Sequence, residues 1–357
     1  MTDTPVTGPG GTEAPTGATA SAIRLATPEA IADAAARLRA GELVAFPTET
    51  VYGLGANALD ANAVARIFAA KGRPAWNPVI VHVPNAAAAR ALVAEWPDRA
   101  QRLADAYWPG PLTLVLRRAP QVPDGVTAGT DTVGVRVPAH PVALALLEAA
   151  GVPVAGPSAN RFTHLSPTTA AHVAAALGDH VACILDGGPC DVGIESTVLD
   201  LTGDVPRVLR SGVLDASTLA DWLGEPVALG APAPTTPDAP RPSPGLVERH
   251  YAPRAELWLV PPDAEREAEA ALDARLTEAR LARRPERIGA VAIGAGWCPA
   301  AAHEPRRLPA EPAGYARALY ATLHALDAAR CTLIVVAEPP ADGGWRGIHD
   351  RLTRATR

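Results

Sequence analysis

Of the 32 lysine and arginine residues in this 357-residue chain, only Lys71 is a lysine. It stands in Lys71-Gly72-Arg73-Pro74-Ala75-Trp76-Asn77-Pro78, where two cations and an amide share a loop stiffened by prolines, a set of groups suited to a polyphosphate. A chain that uses arginine everywhere else and keeps one ammonium points to chemistry that needs a compact, rotatable charge rather than a planar fork. The competing reading is local. Both cations follow a helical pattern with Val64, Ile67 and Phe68 inward, and could simply complement the helix C-terminus. The loop is not a Walker A loop, because G-x-x-x-x-G-K-[ST] occurs nowhere in the chain.

Four further segments carry groups able to bind or react. Phe46-Pro47-Thr48-Glu49-Thr50-Val51-Tyr52-Gly53-Leu54-Gly55-Ala56-Asn57-Ala58 imitates a dinucleotide fingerprint at Gly53 to Ala58 without the matching acid at a second strand end. That leaves a tight strand-to-loop turn, with the Thr48 and Thr50 hydroxyls free to cap backbone or bind a ligand. His82 alternates with Val81 and Val83, the pattern of a strand histidine that is either a structural hydrogen-bonder or a ligand group. Arg136 lies among valines in Asp131-Thr132-Val133-Gly134-Val135-Arg136-Val137, so if that strand is covered on both faces the guanidinium needs a carboxylate, from the protein or from a substrate. Gly156-Pro157-Ser158-Ala159-Asn160 lacks the last glycine of a serine-hydrolase elbow. Ser166-Pro167 reads as the N-cap and first residue of a helix over 167–177, a place where phosphates bind well. The glycine-rich turns around Glu195-Ser196-Thr197 and Arg210-Ser211-Gly212 precede or follow strands and say little alone.

These residues must be positioned by α/β elements. A helix capped by Thr27 with Ile31 and Leu38 inward stops at Gly41, and apolar runs at 43–46, 79–83, 112–116, 133–137, 152–155, 182–185, 197–201 and 207–209 alternate with helical patterns at 60–71, 86–95, 98–107, 140–150, 167–177 and 216–223. The pattern predicts a large twisted sheet, mixed because some neighbouring strands lack an intervening helix, over residues 21–226. Residues 1–20 read as a disordered leader without signal-peptide features, and 227–253 as a proline-rich linker. A smaller parallel α/β domain is expected over 254–357, from strands at 256–260, 288–293 and 331–336 and helices at 262–283, 311–329 and 345–354.

Composition bounds the partners. A net charge of −6 argues against a protein that mainly grips a nucleic-acid backbone, and no run approaches the length of a membrane span. The four cysteines have neither C-x-x-C spacing nor a nearby histidine pair, which reads as reduced thiols in a cytoplasmic protein rather than a zinc site or disulfide framework.

Taken together, Phe46-Pro47-Thr48-Glu49-Thr50-Val51-Tyr52-Gly53-Leu54, Lys71 to Pro78, Trp108-Pro109-Gly110-Pro111-Leu112-Thr113, Pro157-Ser158-Ala159-Asn160 and Ser196-Thr197-Val198 resemble the motif set of the threonylcarbamoyl-AMP synthase family, the YrdC-like enzymes of tRNA modification. Ser243-Pro244-Gly245 with His250-Tyr251-Ala252-Pro253, and Gly347-Ile348-His349-Asp350-Arg351-Leu352 near the end, resemble the long form with a second, Rossmann-like domain. Trp76 departs from the pattern, standing where many relatives carry a small residue.

The resemblance implies a nucleotidyltransferase that makes threonylcarbamoyl-AMP and pyrophosphate from L-threonine, bicarbonate and ATP, the product passing to a downstream tRNA-modifying transferase. It implies Lys71 and Arg73 as catalytic cations, with Arg73, Asn77, Thr132, Ser158, Ser166, Arg210 and Tyr251 on ATP. Thr50, His82, Arg136 and Ser196 would hold threonine, Arg136 pairing its carboxylate. Mg2+ would arrive with ATP, carried by phosphates and water, with no metal site built from protein groups. Tyr251 in the linker would close over the nucleotide as a lid. Two other readings share the fold: an RNA-binding module without synthase activity, and the carbamoyl-transfer domain of hydrogenase maturation proteins, which resembles chains carrying paired-cysteine zinc modules.

Overall fold

The structure is a computed structural model that describes residues 23–231, 236 and 238–356; the expected leader lies outside them. The strands are β1 (Ile23–Leu25), β2 (Val44–Phe46), β3 (Gly53–Asn57), β4 (Val81–His82), β5 (Leu112–Arg117), β6 (Thr132–Arg136), β7 (Val154–Ala155), β8 (Cys183–Asp186), β9 (Thr197–Asp200), β10 (Arg207–Arg210), β11 (Ala228–Leu229), β12 (Glu256–Val260), β13 (Ile288–Ile293), β14 (Glu304–Leu308) and β15 (Leu333–Ala337). The first eleven form one mixed sheet in the order β1-β8-β2-β3-β7-β4-β6-β5-β9-β10-β11, and the last four a parallel sheet in the order β12-β15-β13-β14. This is the expected architecture of a large mixed sheet followed by a small parallel α/β layer.

The large sheet is covered on both faces, and the period of two along β2 shows how. Val44 and Phe46 join Leu38, Leu146 and Leu147 from the helices Pro28–Arg39 and Pro141–Ala150, while Ala45 points the other way into the core with Val64, Ile67 and Leu103. The helix that delivers Lys71 is locally well specified. Asp60 accepts hydrogen bonds from the Asn62 and Ala63 amides at its start, Ala63, Val64, Ile67 and Ala70 form its buried stripe, and Gly72 ends it in the left-handed conformation at φ 64°.

Several expectations need correction. Gly53 to Asn57 is a strand antiparallel to β2 rather than part of a strand-to-loop turn. Its glycines make room for a neighbour, because a Cβ on Gly53 or Gly55 would fall about 3 Å from the Phe46 ring. The helix expected over 167–177 runs Ala170–Leu177 and is capped by Thr169, not Ser166. The Ser166 hydroxyl instead donates to Glu195. Strands β1, β3, β11 and β14 had no counterpart in the sequence pattern, and β11 carries the large sheet two residues into the segment read as linker.

The two layers share a core. Val51, Leu165 and Ile194 from the first unit and Tyr251 from the linker pack with Tyr315, Leu319, Ile348 and Leu352 of the second. The backbones of the two units touch at Gly193 against Ala316 and at Gly347, where a Cβ would lie 2.5 Å from the Gly212 carbonyl oxygen and no flexible side chain can yield. Gly347→Ala is therefore expected to destabilise the protein by about 1–3 kcal/mol through overpacking, read as a lower denaturation midpoint.

Candidate active site

One edge of the large sheet collects the chemistry. Arg136 ends β6, and its register partner on parallel β4 is His82, so two polar residues dictated by strand alternation stand side by side. Arg210 ends β10 and Ser196 immediately precedes antiparallel β9 at that same end, and the Pro47–Tyr52 loop after β2 folds back to bring Glu49 and Thr50 onto Arg136. The cleft between them is lined by Thr48, Thr50, Arg73, His82, Arg136, Ser158, Glu195, Ser196 and Arg210, and its roof is made by Pro244, Gly245, His250 and Tyr251 of the linker. Eight of the twelve residues singled out from sequence thus meet in one cleft.

Arg136 is buried and already has a protein carboxylate. Its Nη2 donates to Glu49 Oε1 at 2.5 Å, Nη1 to Thr50 Oγ1 at 3.0 Å and Nε to the Gly110 carbonyl at 3.1 Å. Three of its five N–H groups are so engaged, which fixes the plane and leaves two for an anion. The second Glu49 oxygen accepts the Ala139 amide at 3.0 Å. Thr48 and Thr50 hydroxyls share a 2.8 Å hydrogen bond, tying the loop to itself and to Arg136.

The same cleft carries Arg210 and Arg73. Arg210 donates to the Ser196 carbonyl at 3.0 and 3.2 Å and to the Ser196 hydroxyl at 3.1 Å, and that hydroxyl also lies 2.8 Å from Thr113 Oγ1. Arg73 bonds the Asn77 carbonyl at 3.0 Å, Asn77 Oδ1 at 2.8 Å and the Pro78 carbonyl at 2.5 Å. Burial pulls its pKa to about 9, so it stays a cation at neutral pH. Glu195 balances these charges. Burial acts to raise its pKa, but Arg351 and Arg210 outweigh it and hold Glu195 down at about 2.

Four predicted residues do not line this cleft. Lys71 Nζ donates to the Ser158 carbonyl at 2.6 Å and also to that of Asn160, so the ammonium braces the loop that presents Ser158. Asn77 lies behind Arg73 and holds it. Ser166 is sealed against Glu195. Thr132 begins β6, and four strand steps separate it from Arg136 by about 13 Å. It faces a second, narrower cleft with Ile80, Val198 and the linker's Pro242 and Pro244; Ile80 and Pro244 line both. Glu49, Glu195 and His250 were inside named motifs yet received no role from sequence. Their signal was a carboxylate or imidazole in a motif otherwise made of cations and hydroxyls.

His82 is buried and neutral: burial first, and the Arg136 charge second, push it down to about 3. Between that value and the unfolded pKa near 6.5 the unfolded chain binds the extra proton, so stability falls as the pH drops through this window. Glu195 adds a second loss as pH falls from about 4.5 toward 2. We expect denaturation midpoints to decline from pH 7 to pH 5, by roughly 2 kcal/mol for a fully buried histidine, and His82→Asn to remove one proton's share of that slope.

Comparison with known proteins decides the family. A model described as telomere recombination, covering Sua5, YciO and YrdC, matches residues 36–212, and one described as the threonylcarbamoyl-AMP synthase C-terminal domain matches 214–356. The chain belongs to the threonylcarbamoyl-AMP synthase family. The threonylcarbamoyl-AMP synthase of Pyrococcus abyssi is 50% identical over 231 residues, 64% of this chain and 66% of that protein. That of Bacillus subtilis is 46% identical over 240 residues, 66% of this chain and 68% of the relative. The crystal structure of P. abyssi Sua5 complexed with L-threonine superposes with a TM-score of 0.83 at 40% identity, covering 92% of this chain and 95% of that one. The family's second domain is thus the four-stranded layer described above. No helix among the described residues is long and apolar enough to cross a membrane.

Proposed function

We propose that this chain is an L-threonylcarbamoyladenylate synthase, a nucleotidyltransferase that joins L-threonine, bicarbonate and ATP into threonylcarbamoyl-AMP with release of pyrophosphate. The observation that carries the reading is one cleft lined both by Arg136, which holds two spare N–H donors, and by the cations Arg73 and Arg210. A substrate with a carboxylate at one end and a phosphate at the other matches that charge pattern.

The chemistry asks for positioning rather than a protein nucleophile. The threonine amine attacks the carbon of carbon dioxide formed from bicarbonate and loses a proton, giving a carbamate. A carbamate oxygen then attacks the α-phosphorus, the bond to the bridging oxygen breaks, and pyrophosphate leaves. Arg136, Thr50, His82 and Ser196 hold threonine. Arg73 and Arg210 offset charge on the phosphates, Ser158 and Tyr251 border the nucleotide, and Thr132 meets its far end in the second cleft. Preorganised cations in a dry cleft stabilise the developing charge without reorganising at the moment of reaction. Lys71, Asn77 and Ser166 support this set from behind.

Mg2+ bound to ATP would screen its phosphates. Phosphates and water would be its ligands, because Glu49 and Glu195 are each already paired with an arginine. Four cysteines without disulfide partners support a cytoplasmic setting, where a downstream transferase would take the activated carbamoyl group to tRNA. The test is pyrophosphate release with ATP, Mg2+ and bicarbonate, with and without L-threonine. Release that requires threonine is expected; no release together with no ATP binding would overturn the reading.

A further inference from the structure

Among the described residues the largest fully buried side chain is a charged one that does not line the cleft, Arg351 of the C-terminal helix Arg346–Ala355. Its Nε donates to Glu195 Oε2 at 2.8 Å, its Nη1 to the Ser211 carbonyl at 2.8 Å, and its guanidinium lies 5.0 Å from the centre of the Tyr251 ring. One side chain of the second domain therefore touches a cleft carboxylate of the first domain and the linker residue that roofs the cleft. Glu195 is gripped from both domains, by the Ser166 hydroxyl on one oxygen and by Arg351 with the Tyr320 hydroxyl on the other.

Tyr251 needs such support. Its φ is 61°, a left-handed backbone that a residue with a Cβ adopts only when its surroundings impose it. Its hydroxyl is buried without a hydrogen-bond partner in a cleft that also holds Arg73 and Arg210. A polar group in that position waits for a ligand. The linker's other end rests on the first domain, where Arg241 stacks 4.9 Å over Trp76 and its amide bonds the Trp76 carbonyl at 3.1 Å. Trp76, the departure from the family pattern, thus serves as the linker's seat.

We infer that Arg351 and Glu195 are positioning residues, a buried ion pair through which the C-terminal domain holds Tyr251 closed over the nucleotide end of the cleft. The inference rests on the synthase reading for its kinetic consequence but not for its structural one. Arg351 never meets substrate; it sets how often the roof is in place when ATP binds. Loss of the latch lowers the fraction of closed protein and weakens ATP by that fraction, while threonine, held beside Arg136, is affected less.

Two variants test it: Arg351→Lys, which keeps the charge and loses the planar fork, and Arg351→Met with Glu195→Gln, which removes both partners of the pair together. Hydrogen exchange is followed at linker amides 243–253 and at β5 and β6 in the protein without nucleotide, alongside the KM for ATP and for threonine. Both variants are expected to exchange at least tenfold faster in the linker with β5 and β6 unchanged, and to raise the ATP KM at least tenfold. In Arg351→Lys, kcat and the threonine KM should stay within threefold. Linker exchange at the wild-type rate in either folded variant overturns the latch, as does a loss of protection equal in linker and sheet. If the double variant does not fold, Arg351→Lys decides alone. If the wild-type protein released no pyrophosphate with threonine, the function would fall while the exchange comparison still judged the latch.

Discussion

Arg136→Leu is expected to lower kcat/KM for threonine at least about a thousandfold and to destabilise the protein by about 3–5 kcal/mol, and the two losses have separable causes. The stability loss comes from Glu49, which is buried and would keep only the Ala139 amide once the 2.5 Å ion pair is gone. The catalytic loss comes from the missing cation, whose charge-assisted bonds to a carboxylate are among the strongest available in a cleft. Adding Glu49→Gln to Arg136→Leu should therefore recover much of the stability and none of the threonine affinity. Arg136→Lys should fall between, because an ammonium cannot satisfy Glu49, Thr50 and Gly110 in one plane. Denaturation curves beside threonine saturation curves measure both effects. A stable Arg136→Leu, Glu49→Gln protein with an unchanged threonine KM would refute the assignment of Arg136.

Lys71→Arg and Lys71→Met are both expected to reduce kcat/KM for ATP by about a hundredfold or more. Lys71 is buried at the end of its helix, its Nζ donating to the carbonyls of Ser158 and Asn160 and its own carbonyl accepting the Phe162 amide at 2.8 Å. The helix and the loop that borders the cleft are thus joined through side chain and main chain at one residue. Arginine carries a longer, rigid fork that cannot place a single nitrogen between those oxygens without moving the loop. Methionine leaves two buried carbonyls without donors, a cost of about 1–3 kcal/mol each. A shift of about 1 Å in a positioned group is enough to cost a hundredfold in rate. Single-turnover rates with saturating ATP, compared with circular dichroism melts, separate displacement from unfolding. Wild-type kinetics in Lys71→Arg would remove the reason for the chain's single lysine.

Lys71 also shows where sequence reasoning stopped. Its isolation among arginines marked it, and its partners gave the reason: a narrow pair of carbonyl oxygens suits one small, rotatable charge. Those carbonyls lie 87 and 89 residues away, a separation that no spacing rule encodes. Ser166 misled for the opposite reason. A serine before proline is a strong local helix-start signal, but Thr169 caps the helix, and the long-range partner Glu195 takes the serine hydroxyl. Gly53 to Gly55 likewise imitated a nucleotide loop, whereas the neighbouring Phe46 ring is what requires the glycines.

The sequence by itself determined the two α/β units, the strand ends that carry His82, Arg136 and Arg210, and the excess of cations and hydroxyls over nucleophiles in their motifs, because alternation, capping and residue type are local properties. Only the tertiary structure decided which charges neutralise which. Glu49 went to Arg136, Glu195 to Arg351 across the domain boundary, and Thr132 to a cleft apart from Arg136 on the same strand. Burial makes an unpaired charge costly, so each buried ion must find a partner, but which partner is set by the packing of elements distant in sequence.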